Sequence, residues 1–203
     1  KSIKSDNTFL SISSDIALCE TCLKELFDET NRRYFYPFTG CTKCGPRFTI
    51  TDDMPYDRET TSFKKFRMCK ICENEYLDVS DRRFHSQTNT CPTCGIPIFL
   101  TDHDNNAVPV AQENLFFHVA GLIKNGNIIA IKNTGGYLLC CDAANESAIE
   151  RLRQRKNRPR KPFAVLYPSI ELLEQDLQVT EEEKKELKNV QSPIVIISSK
   201  NFS

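Results

Sequence analysis

The chain has 203 residues, 39% of them hydrophobic, and its 27 basic side chains are balanced by 27 acidic ones. That length suits one ordinary domain or two small ones, and the neutral balance gives no electrostatic support to a nucleic-acid or acidic-membrane partner for the chain as a whole. The longest apolar runs, "IIAI" at 128–131 and "IVII" at 194–197, fall far short of the roughly 20 residues that span a bilayer, which excludes a membrane helix.

Residues 1–13 read as a polar tail: "KSIKSDNTFLSISSD" has no apolar stretch of signal-peptide length. The expected location is therefore cytoplasmic. Residues 14–100 carry eight of the ten cysteines as four CxxC pairs. The frame CxxC, eighteen residues, CxxC is written twice, with Cys19, Cys22, Cys41 and Cys44 in the first repeat and Cys69, Cys72, Cys91 and Cys94 in the second. This spacing matches the zinc pattern of two close cysteine pairs separated by 15 to 20 residues. Secreted disulfide scaffolds are usually small and signal-bearing, and they rarely arrange eight cysteines in this way. Four thiolates close a tetrahedron around one Zn²⁺ and leave no open position, so two structural zinc ions are expected.

Pairing within each repeat is favoured because duplication of a self-contained unit reproduces its own site; a cross-braced pairing is the alternative, and redox-active CxxC pairs are a further one. Gly45 and Gly95 follow the last cysteine of each repeat, where a knuckle turn often needs positive φ. The repeats also share Glu25 with Glu75, Asp28 with Asp78, and Arg32-Arg33 with Arg82-Arg83, residues expected to cap or bridge the intervening segment. His85, opposite Phe35, is not needed by a full thiolate set.

Residues 101–112, including "TDHDNNAVP", are polar and without apolar period, as a linker would be. From 113 to 203 helix and strand patterns alternate. "ENLFFHVAGLIKNG" puts Leu115, Phe116, Val119, Leu122 and Ile123 on one helical face, with Gly126 as its stop. "IIAIK" is a strand, "NTGG" a loop and "YLLCC" a second apolar run, in which Cys140 and Cys141 point to opposite faces with one of them in the core. "NESAIERLRQRK" predicts a helix capped by Asn145 with Ile149 and Leu152 buried. "FAVLY", 163–167, and "PIVIIS", 193–198, are predicted as third and fourth strands, with "SIELLEQDL" and "TEEEKKELK" as helices between them. The alternation implies an α/β layer fold.

The blocks "SSDIALCETCLKEL", "NRRYFYPFTGCTKCGPRFTI", "MPYDRETTSFKKFRMCKICENEYLD", "DRRFHSQTNTCPTCG" and "KNTGGYLLCCDAANESAIERLRQRKNRPRKPFAVL" together resemble the HypF family of hydrogenase maturation carbamoyltransferases, from about residue 12 onward. The resemblance implies a fragment: a double zinc finger, then the first half of a YrdC-like α/β domain, with the acylphosphatase and transfer domains of the family absent and no turnover from the piece alone. It implies carbamoyl phosphate and ATP with Mg²⁺ as substrates, carbamoyl-adenylate as intermediate, and HypE as the partner whose C-terminal cysteine accepts the carbamoyl group for the cyanide ligand of [NiFe]-hydrogenase.

By the same resemblance, Lys132, Gly135, Gly136, Lys156, Arg158 and Lys161 are similar to residues that hold ATP and carbamate; Asn133 stands where the family usually has glycine. Read on its own, the run 151–161 supplies seven basic residues in eleven. That could equally be a solvated helix end favoured by the macrodipole. The alternative function is a zinc-finger and YrdC-like RNA-binding module without carbamoyl transfer, which the neutral charge disfavours. A cysteine-rich chaperone module or a tRNA-modifying YrdC enzyme fits less well, the first for want of its glycine repeats and the second because it lacks zinc fingers.

Overall fold

The computed structural model describes residues 11–198. The chain divides into two compact units, one up to Phe99 and one from Leu100. Among the described residues no helix is long and apolar enough to cross a membrane.

The first unit repeats one motif. A cysteine caps a short helix, α1 (Glu20–Phe27) after Cys19 and α2 (Lys70–Leu77) after Cys69. Each helix ends in an Asx turn: Asp28 Oδ1 accepts from the Thr30 amide and hydroxyl at 2.9 and 2.7 Å, and Asp78 Oδ1 accepts from those of Ser80 at the same two distances. A second Asx turn follows, from the Arg33 amide to Asn31 and from the Arg83 amide to Asp81. The chain then folds back through Phe35 (φ 50) and His85 (φ 54), whose amides bond the carbonyls of Leu26 and Tyr76. These short polar side chains satisfy the backbone donors of the turns that follow each helix C-terminus.

Cysteines apart, the buried apolar side chains described in this unit are Tyr36, Ile50 and Phe63, whereas Arg33, Thr39, Thr61, Arg83, Ser86, Thr88, Asn89 and Thr90 are buried and polar. The segment between the repeats supports the second one: Arg58 donates to the carbonyls of Gln87, Asn89 and Phe66 at 2.7, 3.1 and 2.7 Å.

The second unit opens with a turn in which Asp102 accepts from the amides of Asp104 and Asn106, closed by a bridge between Thr101 and Ala107. Helix α3 (Leu115–Lys124) follows. Of its predicted face, Leu115 is buried and Val119, Leu122 and Ile123 are half-buried, but Phe116 is exposed. Strands β1 (Ile129–Asn133) and β2 (Gly136–Cys140) form an antiparallel hairpin in register Ile129 to Cys140, joined by the two-residue loop Thr134-Gly135. Cys140 ends β2 and Cys141 lies beyond it; both are half-buried, so neither is the core residue expected.

Helix α4 (Glu146–Arg155) is capped by Asn145, whose side chain accepts from the Ala148 amide, and it buries Ala148 and Leu152 while Ile149 is half-buried. Helices α5 (Ile170–Asp176) and α6 (Glu181–Leu187) start at Ser169 and Thr180, the latter with a capping box to Glu183.

The third and fourth strands are not formed. Residues 163–167 and 193–198 belong to no strand of the described sheet, which has two strands only. Leu166, Ile194 and Ile196 stay 96%, 83% and 94% exposed. Apolar β-rich sequence is a strand only when a neighbour supplies the ladder, and among the described residues these segments have none.

Candidate metal centres and nucleotide face

The four sulfurs of each repeat gather into one cluster, all within 4.8 Å of one another. In the first, Sγ–Sγ separations are 3.8 Å from Cys19 to Cys41, 3.7 Å from Cys41 to Cys44 and 3.6 Å from Cys22 to Cys44. The second repeats them, 3.8 Å from Cys69 to Cys91, 3.7 Å from Cys91 to Cys94 and 3.6 Å from Cys72 to Cys94. A tetrahedron of sulfurs at a zinc–sulfur distance of about 2.3 Å has an edge of about 3.8 Å. A disulfide would bring its sulfurs to about 2.05 Å. The donor sets therefore fit a closed four-thiolate ion. The clusters form within repeats, so the cross-braced alternative does not describe this geometry.

Helix geometry supplies half of each site. Cys19 and Cys69 are the N-cap residues and Cys22 and Cys72 lie one turn inside, where the helix N-terminus favours negative sulfur. Without a cation such crowding is unfavourable: contact with Cys44 and then burial push the Cys22 thiol well up, and burial does the same to Cys72. Metal binding would expel these protons.

The paired arginines do not serve their own repeat. Arg32 of the first donates to Cys72 Sγ of the second from Nη1 and Nη2 at 3.4 and 3.3 Å, and pairs with Glu75 at 2.7 Å. Arg33, 3% exposed at its side chain, meets Glu75 at 2.6 Å and gives its Nε to the Thr90 carbonyl at 3.0 Å. The reciprocal set runs from the second repeat to the first. Arg82 donates to Cys22 Sγ at 3.0 Å and pairs with Glu25 at 2.5 Å; Arg83 pairs with Glu25 and gives its Nε to the Gly40 carbonyl at 3.0 Å. Burial alone would raise the glutamates, but the arginine hydrogen bonds and charges outweigh it, lowering Glu25 and bringing Glu75 to about 2. These residues line a groove of about 680 Å³.

The two knuckle glycines have different reasons. Gly45 has φ +94, as the turn requires, whereas Gly95 is not in the left-handed region; there an added Cβ would overlap the Tyr36 hydroxyl. That hydroxyl also accepts from the Ile96 amide at 2.9 Å. His85 is exposed, packed on Tyr76 and Phe84 with centroid distances of 5.0 and 4.3 Å.

In the second unit the candidate anion-binding residues fall into two local groups. At the hairpin, Lys132 Nζ lies 5.0 Å from the Tyr137 ring centroid, and the Gly135 amide donates to Asn133 Oδ1 at 2.9 Å. Gly136 opens β2 at φ 132. Past α4, Lys156 is its exposed C-cap residue and Lys161 is exposed. Arg153 and Arg158 both lie over the Phe163 ring, at 4.7 and 5.6 Å, and Arg153 Nη1 braces the loop through the carbonyls of Arg158 and Lys161 at 3.2 and 3.0 Å. Arg158 Nη2 holds the Pro162 carbonyl at 3.1 Å while its Nε is buried without a hydrogen-bond partner. A cleft of about 270 Å³ lies between Glu150, Arg153, Gln154, Asn157, Arg158 and Pro159.

A family model described as "HypF finger" matches residues 18–51 and again 68–101. A Sua5/YciO/YrdC family model described as "Telomere recombination" matches 121–203. Carbamoyltransferase HypF of Synechocystis sp. is 53% identical over 190 residues, 94% of this chain and 25% of that protein. This chain belongs to the HypF family. The probable carbamoyltransferase HypF of Methanocaldococcus jannaschii is 48% identical over 186 residues, 92% of this chain and 24% of that one. The crystal structure of T. kodakarensis HypF superposes with a TM-score of 0.88 at 45% identity, covering 98% of this chain and 25% of that one. The same TM-score, at 42% identity over 98% of this chain and 26% of the other, relates it to full-length HypF in a phosphate- and nucleotide-bound form. The chain thus spans about a quarter of the length of the HypF proteins it matches. Two four-cysteine, zinc-finger-like clusters followed by a YrdC-like domain are its architecture.

Proposed function

We propose that this chain is the zinc-finger and adenylate-forming part of a carbamoyl-transfer machine of the HypF kind. The observation that carries the reading is the match, at a TM-score of 0.88 over 98% of the chain, to a HypF protein captured with nucleotide and phosphate. In this reading water hydrolyses carbamoyl phosphate to carbamate and inorganic phosphate, a carbamate oxygen attacks the α-phosphorus of ATP, and pyrophosphate leaves with Mg²⁺. The carbamoyl group then passes from the adenylate to the C-terminal thiolate of HypE, and AMP departs, in service of hydrogenase maturation. The eight cysteines hold two zinc ions, which supply rigidity and no chemistry, because four thiolates leave no position for substrate.

The chain's own contribution to the adenylation is charge and position. Lys132, Lys156, Arg158 and Lys161 offer cations to the triphosphate and the developing charge at phosphorus, and Gly135 and Gly136 let the backbone approach it closely. The half-buried Arg158, with one nitrogen lacking a partner beside a cleft, supports this assignment. Arg153 acts through Arg158, bracing the loop that carries it. The test is a chimaera in which this chain replaces the matching quarter of the Synechocystis protein. Carbamoyl-phosphate-dependent exchange between ATP and pyrophosphate is expected, and Lys156→Ala and Arg158→Ala each lower it roughly tenfold or more. Exchange that is unchanged in both variants would remove these side chains from the site.

A further inference from the structure

A divalent cation held by four thiolates keeps a double negative charge, and its sulfurs need hydrogen-bond donors to hold their direction. In this molecule those donors come from the other repeat. Arg32 reaches Cys72, and Arg82 reaches Cys22, across 40 and 60 residues of sequence. Beside each of them a buried arginine ties together the two halves of the opposite site. Arg33 joins Glu75, on the helix that carries Cys72, to the carbonyl of Thr90, which precedes Cys91. Arg83 likewise joins Glu25, on the helix that carries Cys22, to the carbonyl of Gly40, which precedes Cys41.

We infer that each finger's metal site is completed in trans by the arginine pair of the other finger, so that Arg32, Arg33, Arg82 and Arg83 are outer-sphere positioning residues for the ion they do not share a repeat with. The turn geometry makes the assignment specific. Two Asx turns in each repeat fix the backbone immediately before the arginines, so a finger can present its pair only when its own helix and turn are in place. Loss of metal from one finger therefore loosens the partners of the other. Glu25 and Glu75 each hold two guanidinium groups side by side, with Arg32 aimed at Cys72 and Arg82 at Cys22. The cost of burying each set of charges is offset only when the facing finger supplies its glutamate, which favours this register of the two fingers.

The inference rests on the metal reading of the clusters, and the zinc content of the unmodified chain, measured first, tests that reading by itself. The test of the inference compares Arg82→Gln with Arg32→Gln in the whole zinc-loaded chain. A zinc chelator is added, thiols are trapped with an alkylating agent, and the initial rate at each cysteine is read by mass spectrometry. The expected pattern is crossed. Arg82→Gln speeds initial release of Cys19, Cys22, Cys41 and Cys44 by roughly tenfold or more, as losses of outer-sphere partners do, and Arg32→Gln does the same to Cys69, Cys72, Cys91 and Cys94. Variants that act on their own finger, on both fingers alike from the first time point, or on neither would overturn the assignment. If a glutamine variant is already alkylated at every cysteine before chelator is added, Arg82→Lys and Arg32→Lys, which keep the charge without the fork, are read for the same crossing.

Discussion

The two units of this chain reach their folds by opposite means. In the first, five of the eight clustered cysteines are buried with arginines, threonines, Ser86 and an asparagine around Tyr36, Ile50 and Phe63, while Phe27, Phe48, Leu77 and Val79 stand in solvent. In the second, order comes from helix caps and a few apolar contacts at Leu115, Ala148, Leu152 and Leu173. A core of polar side chains depends on its partners being supplied, and in the first unit the buried arginines take theirs from the repeat on the other side. The second unit holds its helices by local caps, so a lost cap there is felt in its own helix.

That contrast can be sharpened by single substitutions. Arg33→Ala removes a buried guanidinium, leaves Glu75 with Arg32 as its cation, and takes the donor from the buried Thr90 carbonyl and Asn89 Oδ1, which should cost about 1 to 3 kcal/mol for each of the two. Thermal melting of the first unit, followed by zinc release, should register the whole loss. Leu152→Ala opens a cavity beneath α4 and should cost about 2 to 5 kcal/mol, with the helices of the second unit melting earlier and zinc content unchanged; zinc loss in this variant would break the separation of the two units. Asn145→Ala removes the α4 cap and should cost about 1 kcal/mol, visible as faster amide exchange in the first turn of that helix and nowhere else.

Much of the first unit could be read before the structure. The cysteine spacing pointed to two four-thiolate sites, and the duplication favoured pairing within repeats over a cross-braced alternative that the structure then set aside. The duplicated arginines and glutamates were visible too, but their expected role inside the intervening segment is corrected: they cross to the other repeat. The signal was present in their equal offsets, since a residue repeated at the same place in two fingers is positioned to act symmetrically between them. Gly95 illustrates a different limit. Its need for glycine arises from Tyr36, 59 positions away, which no turn rule reveals.

In the second unit the helix caps Asn145, Ser169 and Thr180 were legible because capping is local chemistry. The segments 163–167 and 193–198 read equally well as strands and are not strands here, because pairing is a property of a neighbour and not of the segment itself. The same holds for the residues proposed to meet nucleotide. Lys156 and Lys161 could be picked out as cations, but the stacking of Arg153 and Arg158 on Phe163 depends on a loop closing back over the helix end.

The central claim is that zinc, held by the eight cysteines, is the core of the first unit and is not needed by the second. Hydrogen–deuterium exchange of the whole chain, with and without a zinc-stripping chelator, tests it most directly, because structural zinc of this kind contributes on the order of 10 to 16 kcal/mol in small modules. The account predicts that stripping two zinc ions removes amide protection throughout α1, α2 and the arginine-bearing turns while α3, the hairpin and α4 exchange as before. Protection of α1 and α2 that survives complete removal of zinc would contradict it.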